Sequence, residues 1–392
     1  MSRKLISHSP DLQKLENDGY EIEVKQGHLL VSNIPYVNSR GEVAHGVLVS
    51  KLDLAGEKTT QPESHVMYFI GDHPCEKDGS IITAIQNESV TKSLVEGLTI
   101  NHTFSGKPPG RLYLDYFEKV TQYVKVISSQ AQAINPDVTA KTFNVKESTE
   151  PESTLCYHDT NSTRSEISAI SEKLHKLKIA IVGTGGTGSY VLDFVSKTGV
   201  KEIHIFDEDV FLQHNAFRAP GAASLDVLKG KPKKVAYLRE IYSKMHKVII
   251  PHEHNVTAAN ANEIAGMDFT FVCVDKPEAK GIVISQLISK GISFVDVGMG
   301  IKAINDSLTG SARITTGTQE KYDHIEKRIS FASEGQNDYK QNIQIAELNA
   351  LNAALAVIKW KKLYGVYHDL EKEFHSSYSV NMNKILNDEI KA

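Results

Sequence analysis

A short apolar run that ends in a glycine-rich loop constrains the fold of this 392-residue chain more than any other feature. Residues 178–182 read Lys-Ile-Ala-Ile-Val, which is typical of a buried parallel strand. Residues 183–188 read Gly-Thr-Gly-Gly-Thr-Gly and lead into a predicted helix at 190–197. Glycines let the backbone approach a phosphate, and the helix N-terminus supplies unpaired N–H groups, although a turn used only for packing shows the same pattern. The residues predicted to contact a nucleotide here are Gly183, Gly185, Gly186 and Gly188.

Strand and helix patterns continue to alternate after this loop. Further strands are predicted at 202–206, 268–274 and 293–297, and helices between them at 235–246 and 280–289. Such alternation is typical of an α/β fold with a Rossmann-like, doubly wound and mainly parallel sheet. We assign this domain to residues 166–392. It ends in a long amphipathic helix at 342–363, whose predicted apolar face is Ile345, Leu348, Leu351, Leu355 and Ile358.

The first part of the chain has a different pattern. Residues 1–145 contain short alternating runs typical of strands and one helical pattern at 113–131, which together predict a smaller α+β domain of unknown role. Residues 146–165 are polar and predict a linker, or an ordered surface arm, between the two domains.

Composition excludes several classes of protein. The chain has 44 Lys and Arg against 48 Asp and Glu, so its net charge of −4 counts against a nucleic-acid partner. Three cysteines are too few for a disulfide scaffold. No apolar run is long enough to span a membrane, and the N-terminus lacks the pattern of a signal peptide. We therefore expect a cytoplasmic protein with reduced thiols and no membrane partner.

Charged residues follow the predicted strands at the edge where open α/β sheets bind ligands. Asp207 ends the second strand, where a carboxylate can bind ribose hydroxyls, and Asp209 follows it as a further nucleotide contact or a turn cap. An NAD dehydrogenase and an ATP-using enzyme both fit this pattern. Arg218, Lys231 and Asp275 favour the second class, because together they can bind phosphate oxygens and Mg²⁺.

The order of these elements resembles the ThiF/MoeB-type adenylation domain that is shared with ubiquitin-activating enzymes. The resemblance covers about residues 165–361 and rests on the glycine loop and on residues that follow it: Asp207-x-Asp209, Asn215-x-x-Arg218, Lys231 and Asp275. It implies ATP- and Mg²⁺-dependent adenylation of the C-terminal carboxylate of a ubiquitin-like or sulfur-carrier protein. The implied roles are ribose binding by Asp207, phosphate binding by Asn215, Arg218 and Lys231, and Mg²⁺ coordination by Asp275.

The resemblance also implies partners. Members of this family are generally dimers in which an arginine from a preceding helix reaches the ATP of the neighbouring subunit. Arg164 occupies the matching place in this sequence, although a solvated linker arginine would look the same. We expect a homodimer, and a separate conjugating protein downstream of it.

The sequence departs from the family in its cysteines. It has no Cys-x-x-C pair, so we expect no structural zinc site of the kind many relatives carry. No cysteine follows Cys273, which lies in a predicted core strand, so a thioester in the usual place is excluded. The reaction would then stop at the adenylate, or use a nucleophile from a separate protein or from the first domain.

The first domain resembles an uncharacterised bacterial domain found ahead of ThiF-like domains. Cys75 would accept an acyl group if His73 or His102 lowered its pKa, because only the thiolate attacks. Two alternatives remain open for the polar residues around Cys75. A metal would be bound by His65, Asp72, His73 and His102, or these residues would serve only as structural turn and core residues.

Three other functions remain open at this point. An enzyme of the same fold would adenylate RNA or a small peptide, whereas a partner subunit without catalysis would only bind a nucleotide or a carrier. An NAD-dependent oxidoreductase is the most distant alternative, because it has no use for the phosphate-binding set.

Overall fold

The computed structural model describes residues 2–145, 153–165, 167–329, 331 and 343–387. The described residues form two compact units, one from 1–146 together with 159–169, and the other from 147–158 together with 170–392. No helix within the described residues is long and apolar enough to cross a membrane.

The strands described in the first unit are β1 (Glu21–Lys25), β2 (His28–Val37), β3 (Val43–Lys51), β4 (Leu54–Ala55), β5 (Lys58–Thr59), β6 (Val66–Ile70), β7 (Gln86–Glu88), β8 (Lys92–Val95), β9 (Leu98–Ile100) and β10 (His102–Ser105). Six of them form an antiparallel sheet with the order β1-β2-β3-β6-β10-β7, whereas β4 pairs with β5 and β8 pairs with β9. Its helices are α1 (Ser2–His8), α2 (Pro10–Asn17), α3 (Tyr116–Ile134) and α4 (Thr160–Arg164). The sequence-based prediction of an α+β unit is therefore confirmed.

Helix α3 supplies much of the core of this unit. It begins later than the predicted 113–131, because the Asp115 carboxylate accepts a hydrogen bond from the Glu118 N–H at 2.7 Å and caps the helix at Tyr116. Val120 and Ile127 of α3 are fully buried in the same apolar cluster as Phe69. This unit thus has its own hydrophobic core.

The second unit contains eight strands in one sheet. The strands are β11 (Lys178–Val182), β12 (Glu202–Phe206), β13 (Ile249–His252), β14 (Phe269–Val272), β15 (Ser293–Ile304), β16 (Ser307–Gly317), β17 (His375–Ser379) and β18 (Lys384–Asn387). The helices are α5 (Ser168–Ser171), α6 (Gly186–Val195), α7 (Gln213–Ala216), α8 (Leu225–Gly230), α9 (Lys234–Tyr242), α10 (Pro277–Lys290), α11 (Ile325–Arg328) and α12 (Ala346–Leu363), with 3₁₀ turns at Glu172–Leu174 and Ala261–Ile264.

The strand order is β13-β12-β11-β14-β15-β16-β17-β18, and the first five strands run parallel. The chain order reverses at β11, whose neighbours are β12 on one side and β14 on the other. Ligands in open α/β sheets bind at such a reversal, outside the carboxyl ends of the strands. The predicted doubly wound, mainly parallel sheet is confirmed, and the glycine loop lies at its reversal point.

Both faces of the sheet are covered by helices. Ile179 and Ile181 of β11 belong to a core cluster with residues of α6, α9 and α12, whereas Ala180 and Val182 belong to a second cluster with residues of α10 and α11. Alternate residues of a strand point to opposite faces, so a strand covered on both sides is apolar throughout. This is why 178–182 reads as a continuous apolar run.

Strand β15 is longer than predicted. The prediction ended at residue 297, but β15 continues to Ile304 and pairs with β16 through a hairpin. Asn305 and Asp306 form the two-residue turn with φ of 49° and 58°. Asn and Asp tolerate this left-handed conformation, which a two-residue hairpin of this kind requires.

The predicted buried face of the last long helix was partly wrong. Ile358, predicted to be buried, is 42% exposed, whereas Asn349, Asn352 and Trp360 of the same helix are fully buried. The prediction ranked positions by hydrophobicity alone. In the structure Asn349 accepts a hydrogen bond from Thr187 and Asn352 donates one to the Gly298 carbonyl, and these bonds offset part of the cost of burying the amides.

Part of the predicted linker is an ordered arm. The Cys156 N–H donates to the Met245 carbonyl at 2.8 Å, and the Lys247 N–H donates to the Thr154 carbonyl at 2.7 Å. Residues 153–158 therefore pair with the second unit along the backbone. Residues 146–152 lie outside the described part of the chain.

We expect Trp360→Ala to lower the free energy of unfolding by about 3–5 kcal/mol, because this side chain is fully buried against Phe269 and Phe271. Ile358→Ala, two residues earlier in the same helix, should change it by less than about 1 kcal/mol. Urea unfolding is best followed by circular dichroism, because Trp360 is the single tryptophan of the chain. Equal losses in the two variants would contradict the observed helix face.

Candidate nucleotide site at the glycine loop

The glycine loop follows β11 directly and opens helix α6. Gly183 has a φ of +90°, and a Cβ atom added there would lie 2.8 Å from the Cys273 carbonyl oxygen, so only glycine fits without strain. A Cβ atom at Gly188 would overlap the Gly183 carbonyl. By contrast, a Cβ atom at Gly185 would meet nothing within 4 Å. The loop is thus packed closely against β14 on one side and open at Gly185, beside the N-terminus of α6.

The carboxylate of Asp207 holds this loop in place. One oxygen accepts hydrogen bonds from the Thr184 N–H at 2.8 Å and from the Thr184 hydroxyl at 3.1 Å. The other oxygen accepts from the Asp209 N–H at 3.0 Å. Asp207 is largely buried, and these donors compensate for the loss of water around its charge. The structure therefore shows Asp207 supporting the loop, while its role toward a ribose stays a prediction.

Lys234 is a buried cation that sequence reasoning missed. Its ammonium lies 2.7 Å from an Asp209 oxygen and 3.5 Å from an Asp207 oxygen. The hydrogen bond from Lys234 is the main reason why the pKa of Asp209 is lowered. The predicted phosphate ligand Lys231 is instead exposed, at the left-handed residue that ends α8. Lys229, Lys231, Lys233 and Lys234 look alike in sequence, and only the start of α9 at Lys234 directs one of them inward.

Asn215 and Arg218 follow α7. Asn215 is buried, and its side-chain oxygen accepts a hydrogen bond from the Leu212 N–H at 2.8 Å, so the amide caps its own turn. Arg218 is partly buried, and its Nε is fully buried with no hydrogen-bond partner among the described residues. A buried guanidinium nitrogen without a partner is costly unless an anion or water completes it. The Nε donor of Arg218 is therefore unsatisfied among the described residues, and its role in binding phosphate stays a prediction.

Asn349 of α12 is a second residue that the sequence did not reveal. The Thr187 hydroxyl donates to its side-chain oxygen at 3.0 Å, and its amide nitrogen donates to the Arg218 carbonyl at 3.3 Å. A Cβ atom added at Gly186 would overlap this amide. Asn349 thus links the first turn of α6 to the segment that carries Arg218.

Asp275 and Cys273 follow strand β14. Asp275 is exposed, and its carboxylate accepts a hydrogen bond from Gln344 Nε2 at 2.8 Å. Cys273 was predicted to lie inside the core strand, but β14 ends at Val272 and Cys273 is only partly buried. Burial nevertheless raises the pKa of its thiol, so Cys273 is not a thiolate at neutral pH.

A buried ion network lies on the next strand. Asp296 of β15 is fully buried and contacts the ammonium of Lys280 at 2.7 Å and the guanidinium of Arg313 at 2.9 Å. Asp296 is paired in register with Val272, the last residue of β14. Two cations face one carboxylate here, so the network has one positive charge in excess.

Arg164 is the last residue of α4 and is exposed. The described residues provide no hydrogen bond to its guanidinium, and its role in a neighbouring subunit stays a prediction.

The structure does not support Cys75 as an acyl acceptor. Cys75 is buried, and its thiol donates to the His73 carbonyl at 3.2 Å rather than to an imidazole nitrogen. Burial and the nearby Asp78 and Asp72 raise the pKa of the thiol, whereas the proposed role needs a lowered pKa. Cys75 therefore behaves as a structural residue in this unit.

The polar cluster around Cys75 does not gather ligands either. His73 and His102 have ring centroids 4.9 Å apart, but His102 contacts the Ser89 hydroxyl and His65 contacts the Ser105 hydroxyl. The only group of converging metal-ligand atoms in the described part of the chain lies elsewhere, at His252, His254 and Glu263. The metal interpretation of the first domain is thus not supported.

Two family models match this chain. The ThiF family model matches residues 158–304, and the model described as a domain of unknown function (DUF6791) matches residues 10–160.

Curated proteins and solved structures match over part of the chain. The "Ubiquitin-like modifier-activating enzyme 5" of Culex quinquefasciatus is 23% identical over 145 residues, which is 34% of this chain and 36% of that protein. The "Adenylyltransferase and sulfurtransferase UBA4" of Saccharomyces cerevisiae (strain ATCC 204508 / S288c) is 28% identical over 132 residues, 33% of this chain and 29% of that protein. The chain thus spans about a third of the length of these relatives. A crystal structure of E. coli MccB with ATP has a TM-score of 0.48 at 18% identity, over 59% of this chain and 72% of that chain.

We expect Lys234→Met to lower the free energy of unfolding by about 2 kcal/mol at pH 7, because buried Asp207 and its neighbour Asp209 lose a charge-assisted donor. The folded-state pKa of Asp209 is lowered, so its contribution is present above the ordinary value of 3.8 and is lost as pH falls through the lower folded value. Urea unfolding at pH 7 and below pH 4 should show the difference between the variant and the wild type shrinking. The exposed Lys231→Met is the matched control, and an equal loss there would contradict the assignment.

Alkylation of the native protein by iodoacetamide should modify partly exposed Cys156 at least about tenfold faster than buried Cys75, since only an accessible thiolate reacts. Mass spectrometry of digested samples gives the rate at each cysteine, and the rates should converge in urea. Faster reaction at Cys75 in the native protein would restore it as an acyl acceptor.

Proposed function

We propose that this chain adenylates the C-terminal carboxylate of a ubiquitin-like or sulfur-carrier protein, and the match of the ThiF family model to residues 158–304 supports this proposal. The observation that carries the proposal is the partly buried guanidinium of Arg218, whose Nε has no partner among the described residues. The side chain of Asn349 links the backbone of Arg218 to Thr187 of the glycine loop by hydrogen bonds. This loop is open at Gly185. A glycine loop at a helix N-terminus and an unsatisfied guanidinium together suit a nucleoside triphosphate.

In the proposed reaction, ATP is a substrate. A carboxylate oxygen of the carrier attacks the α-phosphorus, the bond from that phosphorus to the bridging oxygen breaks, and pyrophosphate leaves. The product is an acyl-adenylate. Negative charge grows on the α-phosphate in the transition state, and fixed donors that need no rearrangement stabilise it most effectively. Arg218 and the first N–H groups of α6 are such donors in this chain.

Lys234 extends this set. We propose that its ammonium, now held between Asp207 and Asp209, provides the phosphate-binding lysine, in place of the exposed Lys231. The buried position favours Lys234 because a cation acts more strongly on a phosphate where water is excluded. Asp207 would bind the ribose hydroxyls through the lone pairs of its carboxylate oxygens that Thr184 and Lys234 do not use.

Asp275 fits a Mg²⁺ ligand, because it is an exposed carboxylate at the carboxyl end of β14 and Mg²⁺ prefers oxygen ligands. When bound, Mg²⁺ would neutralise phosphate charge. Gln344 donates a hydrogen bond to Asp275 and orients this carboxylate.

The acyl group would leave this chain on a nucleophile from a separate conjugating protein. The placement of the cysteines favours this route, because Cys75 is buried and the pKa values of both Cys75 and Cys273 are raised. We further propose a homodimer in which Arg164 reaches the nucleotide of the other subunit, since it is exposed at the end of α4.

The proposal is tested by exchange of labelled pyrophosphate into ATP in the presence of Mg²⁺ and candidate carriers that end in Gly-Gly. Arg218→Ala should reduce the exchange rate by at least about 10²-fold, as expected for loss of one transition-state donor. The matched control is Arg239→Ala, which removes an exposed arginine of α9 outside the site.

Carrier-dependent exchange that falls only in Arg218→Ala would support the proposal. Exchange stimulated by short peptides or RNA, and by no carrier protein, would reassign the substrate class. ATP binding without exchange under any condition would indicate a partner subunit without catalysis and would overturn the proposal.

A further inference from the structure

A second polar cluster lies away from the glycine loop, at the β13 edge of the sheet. His252 ends β13, His254 follows two residues later, and Glu263 lies in the 3₁₀ turn Ala261–Ile264. One Glu263 carboxylate oxygen is 3.4 Å from His252 Nδ1 and 3.0 Å from His254 Nε2. All three ligand atoms lie within 4.8 Å of one another.

The two separations to Glu263 match a zinc coordination sphere. Zinc bonds to nitrogen and carboxylate oxygen are about 2.0–2.2 Å, so two ligand atoms of a tetrahedral ion lie about 3.3 Å apart. The two measured separations to Glu263 bracket this value. Two imidazoles and a carboxylate are also the donor set that zinc accepts with one position left open. We propose that His252 Nδ1, His254 Nε2 and Glu263 form a zinc site whose fourth position faces solvent.

A relay of hydrogen-bond contacts links His252 to Glu202. Its Nε2 lies 3.0 Å from His204 Nδ1, and His204 Nε2 lies 3.3 Å from a Glu202 oxygen. Glu202 also contacts the Lys178 ammonium at 3.1 Å, and its pKa is lowered, so it is an ionised acceptor. In the tautomer in which His204 Nε2–H donates to Glu202, the unprotonated Nδ1 of His204 accepts from His252 Nε2–H.

This tautomer leaves a lone pair on His252 Nδ1, directed at the carboxylate of Glu263. Two electron-rich atoms 3.4 Å apart repel each other unless a cation lies between them. Metal-bound histidines typically donate their other ring N–H to a group that orients the ring, as His252 does to His204.

Packing holds the His252 ring in one plane. The ring stacks on Phe206 with centroids 4.0 Å apart and an interplanar angle of 6°. His254 and Glu263 have about two-fifths of their side-chain surface exposed, so an ion can enter from solvent. The His252 carbonyl also accepts the Asp207 N–H at 3.2 Å. A metal here would therefore stabilise the edge strand next to the residue that holds the glycine loop.

The test uses the full chain, stripped of metal with a chelator and then titrated with zinc against a chromophoric competitor. We expect one zinc per chain, and cobalt in its place should give the visible absorption bands of a tetrahedral site. His254→Ala and Glu263→Gln should each weaken zinc binding at least about tenfold. Glu202→Gln, which leaves all three proposed ligands in place and changes the end of the relay, should weaken it about 10- to 100-fold.

His368→Ala is the matched control, because His368 is an exposed histidine of the same unit. Circular dichroism verifies that each variant is folded. Unchanged zinc affinity in both His254→Ala and Glu263→Gln, or no zinc bound at one equivalent by the wild type, would overturn the proposal. In that case hydrogen bonds from the two imidazoles to Glu263 hold the cluster together without a metal. The test does not depend on adenylation, so the two proposals fail separately.

Discussion

The buried carboxylate of Asp207 is the interaction on which the glycine-loop site depends. It joins three segments that are separate in sequence, because Thr184, Asp209 and Lys234 all approach its two oxygens. Burying a carboxylate is unfavourable by several kcal/mol unless donors replace the lost water, so these segments stabilise the charge and are in turn positioned by it. The parallel pairing of β11 with β12 places Val182 opposite Phe206, and this register brings the loop to Asp207.

Helix α12 is the second support of the site. Its buried face serves two purposes: Trp360 packs on the aromatic residues of β14, and Asn349 meets Thr187 and Arg218 near the glycine loop. One rigid helix therefore connects the apolar core with the polar groups that would face a ligand. An amide is favoured over an apolar side chain at position 349 because it must both accept from a hydroxyl and donate to a carbonyl.

Strand β12 connects the two polar sites of the second unit. His204 lies in β12 and Asp207 directly follows this strand, whereas His252 lies in the neighbouring β13. The Asp207 N–H donates to the His252 carbonyl, so the edge cluster and the glycine loop share a continuous backbone ladder. The first unit has a separate core, and burial of its Cys75 raises the pKa of that thiol.

Local patterns in the sequence were sufficient for the fold class, because strand and helix periodicity and the glycine run depend only on neighbouring residues. They placed β11 and β12 at the residues where the structure has them. They could not select Lys234 from four similar lysines, assign Asn349 to the site or bring Glu263 to His252. These side chains meet their partners only after the sheet is assembled. Burying a polar group is costly unless it finds a hydrogen-bond partner, and that partner comes from a distant part of the chain, so the neighbouring residues in the sequence do not reveal it.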